Sequence, residues 1–204
     1  MHIVFIHGHR ATAKSFTFLS SKLQDYQQSF IEYDSENGFD ANHRDMLQQL
    51  DGIGDIFFIA HSLGGLHALH LAEELQSRVI GAVTISTPYG GSEAAELLLY
   101  MMPFNKVYRD IHPRSTPIIR SKQFALSCPW TNIVSTTGHS PLMAAANDGV
   151  VTLASMRQRD DIRLVEVESN HFEVLQHEAT LATIRRAIRK VENKRLQRAG
   201  YRNA

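Results

Sequence analysis

The chain has 204 residues, with 21 Lys+Arg against 21 Asp+Glu, so its formal charge is zero with His neutral, and 43% of it is hydrophobic. This composition excludes a disordered chain, a collagen and a disulfide scaffold. The neutral balance argues against a dedicated nucleic-acid binder, and no run of about 18 uncharged apolar residues is present to span a bilayer.

At this length a single domain over residues 1–204 is expected, burying roughly 70% of its unfolded surface. The N-terminus, Met1-His2-Ile3-Val4-Phe5-Ile6, enters a strand-like run at once. It lacks the basic start, apolar stretch and small-residue cleavage site of a secretion signal, so a cytoplasmic location is the expectation. Strand Ile3–Ile6 precedes a helical pattern over Ala13–Leu23. Strand Phe30–Tyr33 precedes a helix over Ala41–Leu50, and strand Ile56–Ile59 precedes one over Gly65–Leu75. Val79–Ile85, Asn132–Ser135 and Arg163–Val167 read as three further strands, and a helix from Glu178 to about Arg198 closes the chain. Short continuous apolar strands alternating with helices predict an α/β fold: a mostly parallel sheet of about six strands, covered on both faces.

Two segments stand apart. Between Ser86 and Pro129 the alternation lapses, and Pro88, Pro103, Pro113 and Pro117 punctuate the stretch. Residues 92–122 within it read as a lid-like insertion at one edge of the sheet, and a core helix with a surface loop is the plainer alternative. The last twenty residues, 185–204, form a basic tail of net charge +7 against −7 for the rest of the chain. Its helix, with Ile184, Ile188 and Val191 on one side, is expected to dock on the sheet. A weak peripheral contact with anionic lipid is the alternative. Cys128 is the single cysteine, so no internal disulfide forms.

The sharpest local feature is Ala60-His61-Ser62-Leu63-Gly64, which follows a buried strand and opens a helix. A serine held in a tight strand-to-helix turn lifts its hydroxyl above the sheet, and only small side chains fit two residues to either side. A helix-capping serine is the plainer reading of the same residue. A nucleophilic serine needs a general base, and that base needs orientation. His171 follows the last strand, and Asp148 follows the Asn132–Ser135 strand. Both therefore fall at the carboxyl edge of the sheet, as Ser62 does, which is where open α/β sheets build their active sites. Asp160 and Asp161 compete for the role of the acid but precede the last strand and belong to the opposite edge. Asp110 lies in the long excursion.

With these residues the sequence resembles the α/β-hydrolase-fold enzymes, in particular compact lipases and esterases, the lipase-like GPI inositol deacylases and thioesterases. The resemblance covers nearly the whole chain. It rests on His7-Gly8, Ala60-x-Ser62-x-Gly64, Ser86-Thr87-Pro88-Tyr89-Gly90-Gly91-Ser92, Asp110–Ser115, Asn147–Val151 and His171. The first small position of the nucleophile motif is Ala60 rather than glycine, and Tyr89 stands where histidine is common in that family. The resemblance implies a minimal sheet and Ser62, His171 and Asp148 as nucleophile, base and acid. It makes the backbone N–H groups of His9 and Leu63 the oxyanion hole. It calls for no metal and no organic cofactor.

The implied activity is hydrolysis of carboxylic, including lipid, esters through an acyl-enzyme. A thioesterase and a non-catalytic ligand-binding module on the same fold are the alternatives. Partners are then a small-molecule or lipid ester and not nucleic acid, and the sequence leaves the oligomeric state open. Leu97, Leu98, Met101, Met102 and Phe104 in the excursion are the candidate walls of an acyl site. Of the eleven histidines, His67 and His70 share a helix face at i, i+3. No acidic or Cys partner stands at ligand spacing to them, so a zinc site is not expected.

Overall fold

The computed structural model describes residues 1–200; residues 201–204, the end of the basic tail, lie outside it. Six strands form one sheet: β1 (His2–Ile6), β2 (Gln27–Ile31), β3 (Ile56–His61), β4 (Val79–Ile85), β5 (Trp130–Ser135) and β6 (Arg163–Val167). Their order is β2-β1-β3-β4-β5-β6, and every neighbouring pair is parallel. Parallel neighbours require a crossover between them, and helices supply it. The helices are α1 (Thr17–Ser21), α2 (Phe39–Gln49), α3 (Leu63–Leu75), α4 (Ala94–Met101), α5 (Lys106–Asp110), α6 (Thr116–Ser121), α7 (Leu153–Met156) and α8 (Glu178–Gly200).

The strand period of two divides the core into two layers. Val4, Ile6, Ile56, Phe58 and Ala60 face α2 and α3, where Met46, Leu66 and Leu69 meet them. Ile3, Phe5, Phe57, Ile59, Val83 and Ile85 face α1 and α8, where Leu19, Leu181, Ile184, Ile188 and Val191 close the other side. All six residues of β3 are buried, as a central strand covered on both faces requires. The apolar side of α8 thus lies on the sheet. Its outer side is tied down by Arg195 to Asp55 at 2.7 Å and by the Tyr26 hydroxyl donating to Glu192 at 3.1 Å. Among the described residues no helix is long and apolar enough to cross a membrane.

Two elements differ from the sequence expectation. The second strand begins at Gln27, earlier than Phe30–Tyr33, because it is an edge strand: its polar Gln27-Gln28-Ser29 pairs with β1 on one side and faces solvent on the other. The helical pattern of Ala13–Leu23 resolves into a 3₁₀ turn over Ala13–Phe16, capped by the Thr12 hydroxyl, followed by the short α1. The excursion over 92–122 is not a structureless loop; it carries α4, α5 and α6.

Candidate active site

All six strands run the same way, so the residues that follow β1, β3, β5 and β6 share one edge of the sheet. His61 ends β3 and Ser62 follows at φ 52°, ψ −122°, before α3 begins at Leu63. A non-glycine residue in this region costs about 1–3 kcal/mol, and surrounding bonds must hold it. The Ser62 N–H donates to the Ile85 carbonyl at 2.8 Å, and the Ser62 carbonyl accepts from Gly65 N–H at 2.9 Å. Space around the turn is tight, and at Gly64 the main chain leaves no room for a side chain. A Cβ on Gly64 would lie 2.3 Å from the Ile6 carbonyl oxygen, and one on Gly8 would lie 3.1 Å from Ser62 Cβ. Ala60 is wholly buried, so the small residue two before Ser62 faces packed neighbours rather than space.

Asp148 and His171 come from the loops after β5 and β6 and are almost fully buried. His171 Nδ1 lies 2.7 Å from Asp148 Oδ2, and the His171 N–H donates to the Asp148 carbonyl at 3.1 Å. The carboxylate is saturated with donors. Oδ1 accepts the N–H groups of Val150 and Val151 at 3.0 and 2.8 Å, and Oδ2 also accepts the Ser135 hydroxyl at 2.5 Å. Burial alone would push the carboxyl pKa up, but the His171 and Ser135 hydrogen bonds and the Val151 N–H outweigh it, and the net shift is downward. Of the acids the sequence offers, Asp148 is the one bonded to His171. Asp110 instead accepts the Phe39 N–H at the start of α2, and Asp161 pairs with Arg159.

Nothing in the residue pattern points to the contact made by His61. Its Nε2–H donates to the His171 carbonyl at 2.9 Å, and the two ring centroids are 4.8 Å apart. The residue before Ser62 thereby anchors the loop that carries His171. Burial, reinforced by the neighbouring His171, lowers the His61 pKa to about 3, so the ring is neutral and donates from one nitrogen only. Its Nδ1 faces Gly8 and has no hydrogen-bond partner among the described residues. Among the described residues no hydrogen bond joins Ser62 Oγ to His171; the His61 ring links their segments.

The two candidate amide donors flank the elbow. Leu63 opens α3, so its N–H has no carbonyl one turn back in the helix. His9 follows Gly8, and among the described residues no acceptor meets its N–H. The His9 side chain is turned to the Ser35 hydroxyl, 3.0 Å from Nδ1, and does not enter this arrangement. The proposed acyl-site residues lie in or just after α4, where Leu97, Met101, Met102 and Phe104 are exposed and Leu98 is half-buried. They present an apolar surface to solvent rather than an enclosed pocket. Phe172 and Val150, neighbours of His171 and Asp148, are exposed as well. Tyr89, from the Thr-Pro-x-x-Gly-Ser stretch, is buried between the Thr84 hydroxyl and Trp130 Nε1, each at 2.8 Å, and serves packing.

Residues 20–188 match the sequence profile of the alpha/beta hydrolase fold. The chain belongs to that family. Solved structures of α/β-hydrolase-fold enzymes resemble it closely in shape and distantly in sequence. A metagenomic carboxyl esterase matches with a TM-score of 0.74 and 15% identity, over 95% of this chain and 76% of that one. A lipase-esterase related protein from Clostridium acetobutylicum gives 0.64 and 14%, over 91% and 93%. An extracellular α/β-hydrolase from a Paenibacillus species gives 0.61 and 16%, over 92% and 98%. At these identities the likeness is one of fold. No curated protein matches the chain significantly in sequence.

Proposed function

We propose that this α/β-hydrolase-fold chain is a serine hydrolase of carboxylic esters with an apolar acyl group. Ser62 is its nucleophile, His171 its general base and Asp148 its orienting acid. The observation that carries the reading is the buried 2.7 Å bond between His171 Nδ1 and Asp148 Oδ2, at the same sheet edge as a serine held at positive φ. A carboxylate can only accept, so His171 presents Nδ1–H to Asp148 and leaves the Nε2 lone pair as the base.

Chemically, Ser62 Oγ attacks the ester carbonyl while its proton passes to His171 Nε2. Asp148, acceptor-only and already held by Val150 and Val151, stabilises the imidazolium without taking the proton. The carbonyl oxygen becomes an oxyanion against the N–H groups of His9 and Leu63, and one such donor is worth roughly 2.7–4 kcal/mol of barrier. The tetrahedral intermediate collapses as His171 returns the proton to the departing alcohol. Water then attacks the acyl-enzyme with His171 as base, releasing the acid and Ser62. The reading requires the Ser62 hydroxyl to reach His171 Nε2 when the ester is bound. The test is turnover of p-nitrophenyl butyrate. The wild-type chain is expected to hydrolyse it and Ser62→Ala to lose most of that rate while remaining folded; equal rates would dismiss the reading.

A further inference from the structure

Behind His171 and Asp148 lies a second pair of groups that the chemistry above does not use. Ser135 ends β5, and Ser86, at φ 52°, immediately follows β4. Both are wholly buried. The Ser86 N–H continues the β4–β5 pairing by donating to the Ile133 carbonyl at 2.8 Å, which brings its side chain beside the end of β5. The two hydroxyl oxygens are 2.7 Å apart, and Ser135 Oγ is 2.5 Å from Asp148 Oδ2.

The proton directions in this row are determined. An ionised carboxylate offers no proton, so Ser135 spends its single O–H on Asp148 Oδ2. Ser135 Oγ is then left as the acceptor, and Ser86 must donate to it. The hydroxyl protons of Ser86 and Ser135 both point toward the carboxylate, and His171 Nδ1 meets the same Oδ2.

We infer that Ser135 is a positioning residue for the proposed hydrolysis, tuning the Asp148 carboxylate that orients His171, and that Ser86 acts through it by fixing the direction of its hydroxyl. The inference rests on the serine-hydrolase reading. Oδ1 is held by two backbone amides whatever stands at position 135, so losing the Ser135 hydroxyl leaves the carboxylate in place. What changes is how far its charge is offset: with one donor fewer, Oδ2 attracts the imidazolium more strongly. The ionisable groups that meet His171 are Asp148 and the buried His61, which is neutral across the working range. The acid limb of the rate profile therefore reports the Asp148–His171 pair.

The test is the pH dependence of kcat/KM for p-nitrophenyl butyrate in the full chain, for Ser135→Ala, Ser86→Gly and the double variant. Glycine is chosen at 86 because it accepts positive φ without strain. In Ser135→Ala the acid limb is expected to move up by about half a pH unit, as loss of one hydrogen bond to the ionised form implies. Because the carboxylate stays in place, kcat on the plateau and KM are each expected to remain within about threefold of the wild type. Ser86→Gly should shift the limb the same way by less, and the double variant should match Ser135→Ala, because Ser86 reaches Asp148 only through Ser135. A serine that merely packs would lower the melting temperature and leave the limb still. An unmoved limb in folded Ser135→Ala, or additive shifts in the double variant, overturns the inference. If Ser135→Ala does not fold, Ser86→Gly decides: an upward shift supports the inference and an unmoved limb overturns it. A wild-type chain that neither turns over the ester nor takes a fluorophosphonate at Ser62 fails the hydrolase reading itself, a result distinct from an active enzyme with an unmoved limb.

Discussion

His171 and Asp148 are joined twice, once from ring to carboxylate at 2.7 Å and once from backbone amide to backbone carbonyl at 3.1 Å. The second bond locks together the loops after β5 and β6, so the first is held by main chain as well as by side chains. A carboxamide at 148 would keep the backbone bond and, with its oxygen on the Val150 and Val151 amides, turn an NH₂ toward both His171 Nδ1 and the Ser135 hydroxyl. Asp148→Asn should therefore fold normally and lose about 10³–10⁴-fold in kcat, because the amide no longer enforces the Nδ1–H tautomer. Ester turnover beside a thermal melt checks this, and retained activity would move the acid elsewhere.

The small residues of the elbow make a stability prediction. A methyl at Gly64 would press 2.3 Å from the Ile6 carbonyl oxygen and 2.4 Å from that of His7, both main-chain atoms that cannot step aside. Gly64→Ala should cost about 2–4 kcal/mol, in the range of severe overpacking. Gly54→Ala, which meets nothing within 4 Å, is the control and should stay within about 0.5 kcal/mol of the wild type. Urea unfolding midpoints of the two variants make the comparison.

Three histidines bear on acid stability. Burial holds His61 at about 3 and His70 at about 4, and it depresses His67 strongly, aided by His43 and His70. Each ring takes a proton more readily in the unfolded chain than in the folded one. Unfolding therefore absorbs protons below about pH 6.5, and stability falls as pH falls through that window. One ring held neutral throughout loses about 2 kcal/mol between pH 7.5 and pH 5. His67, stacked on Phe39 at 4.1 Å with neither nitrogen partnered among the described residues, is the ring to replace. His67→Phe should flatten the slope. Equal urea midpoints at the two pH values in the wild type would contradict the account.

The apolar residues of and beside α4 predict a chain-length preference. If Leu97, Met101, Met102 and Phe104 meet the acyl group, kcat/KM should rise from p-nitrophenyl acetate to octanoate. Met101→Ser should erode that rise more than it erodes acetate turnover. A monotonic fall with chain length would assign this surface another role.

Much of this was legible in the residues. Val79–Ile85 and Arg163–Val167 carry their strand limits openly, and the elbow announces itself because steric demand around Ser62 leaves a pattern of small residues. Edge strand β2 was blurred because Gln27-Gln28-Ser29 has no apolar signal and takes its conformation from pairing with β1. The roles of His61 and Ser135 were hidden for a different reason: each acts through one long-range hydrogen bond whose partner lies 110 and 13 positions away. A faint trace of the second exists, since a serine follows β4 at 86 and a serine ends the next strand, β5, at 135. The excursion is apolar by residue type alone, and composition does not tell an enclosed wall from the exposed surface seen in α4.

Every role proposed for this site requires Ser62 to be an activated nucleophile. Incubation of the folded chain with a fluorophosphonate, followed by peptide mass mapping, tests it most directly. One adduct per chain is expected, on Ser62, and its rate should collapse in His171→Ala. Folded wild-type protein that takes no label, or takes it on another residue, would contradict it.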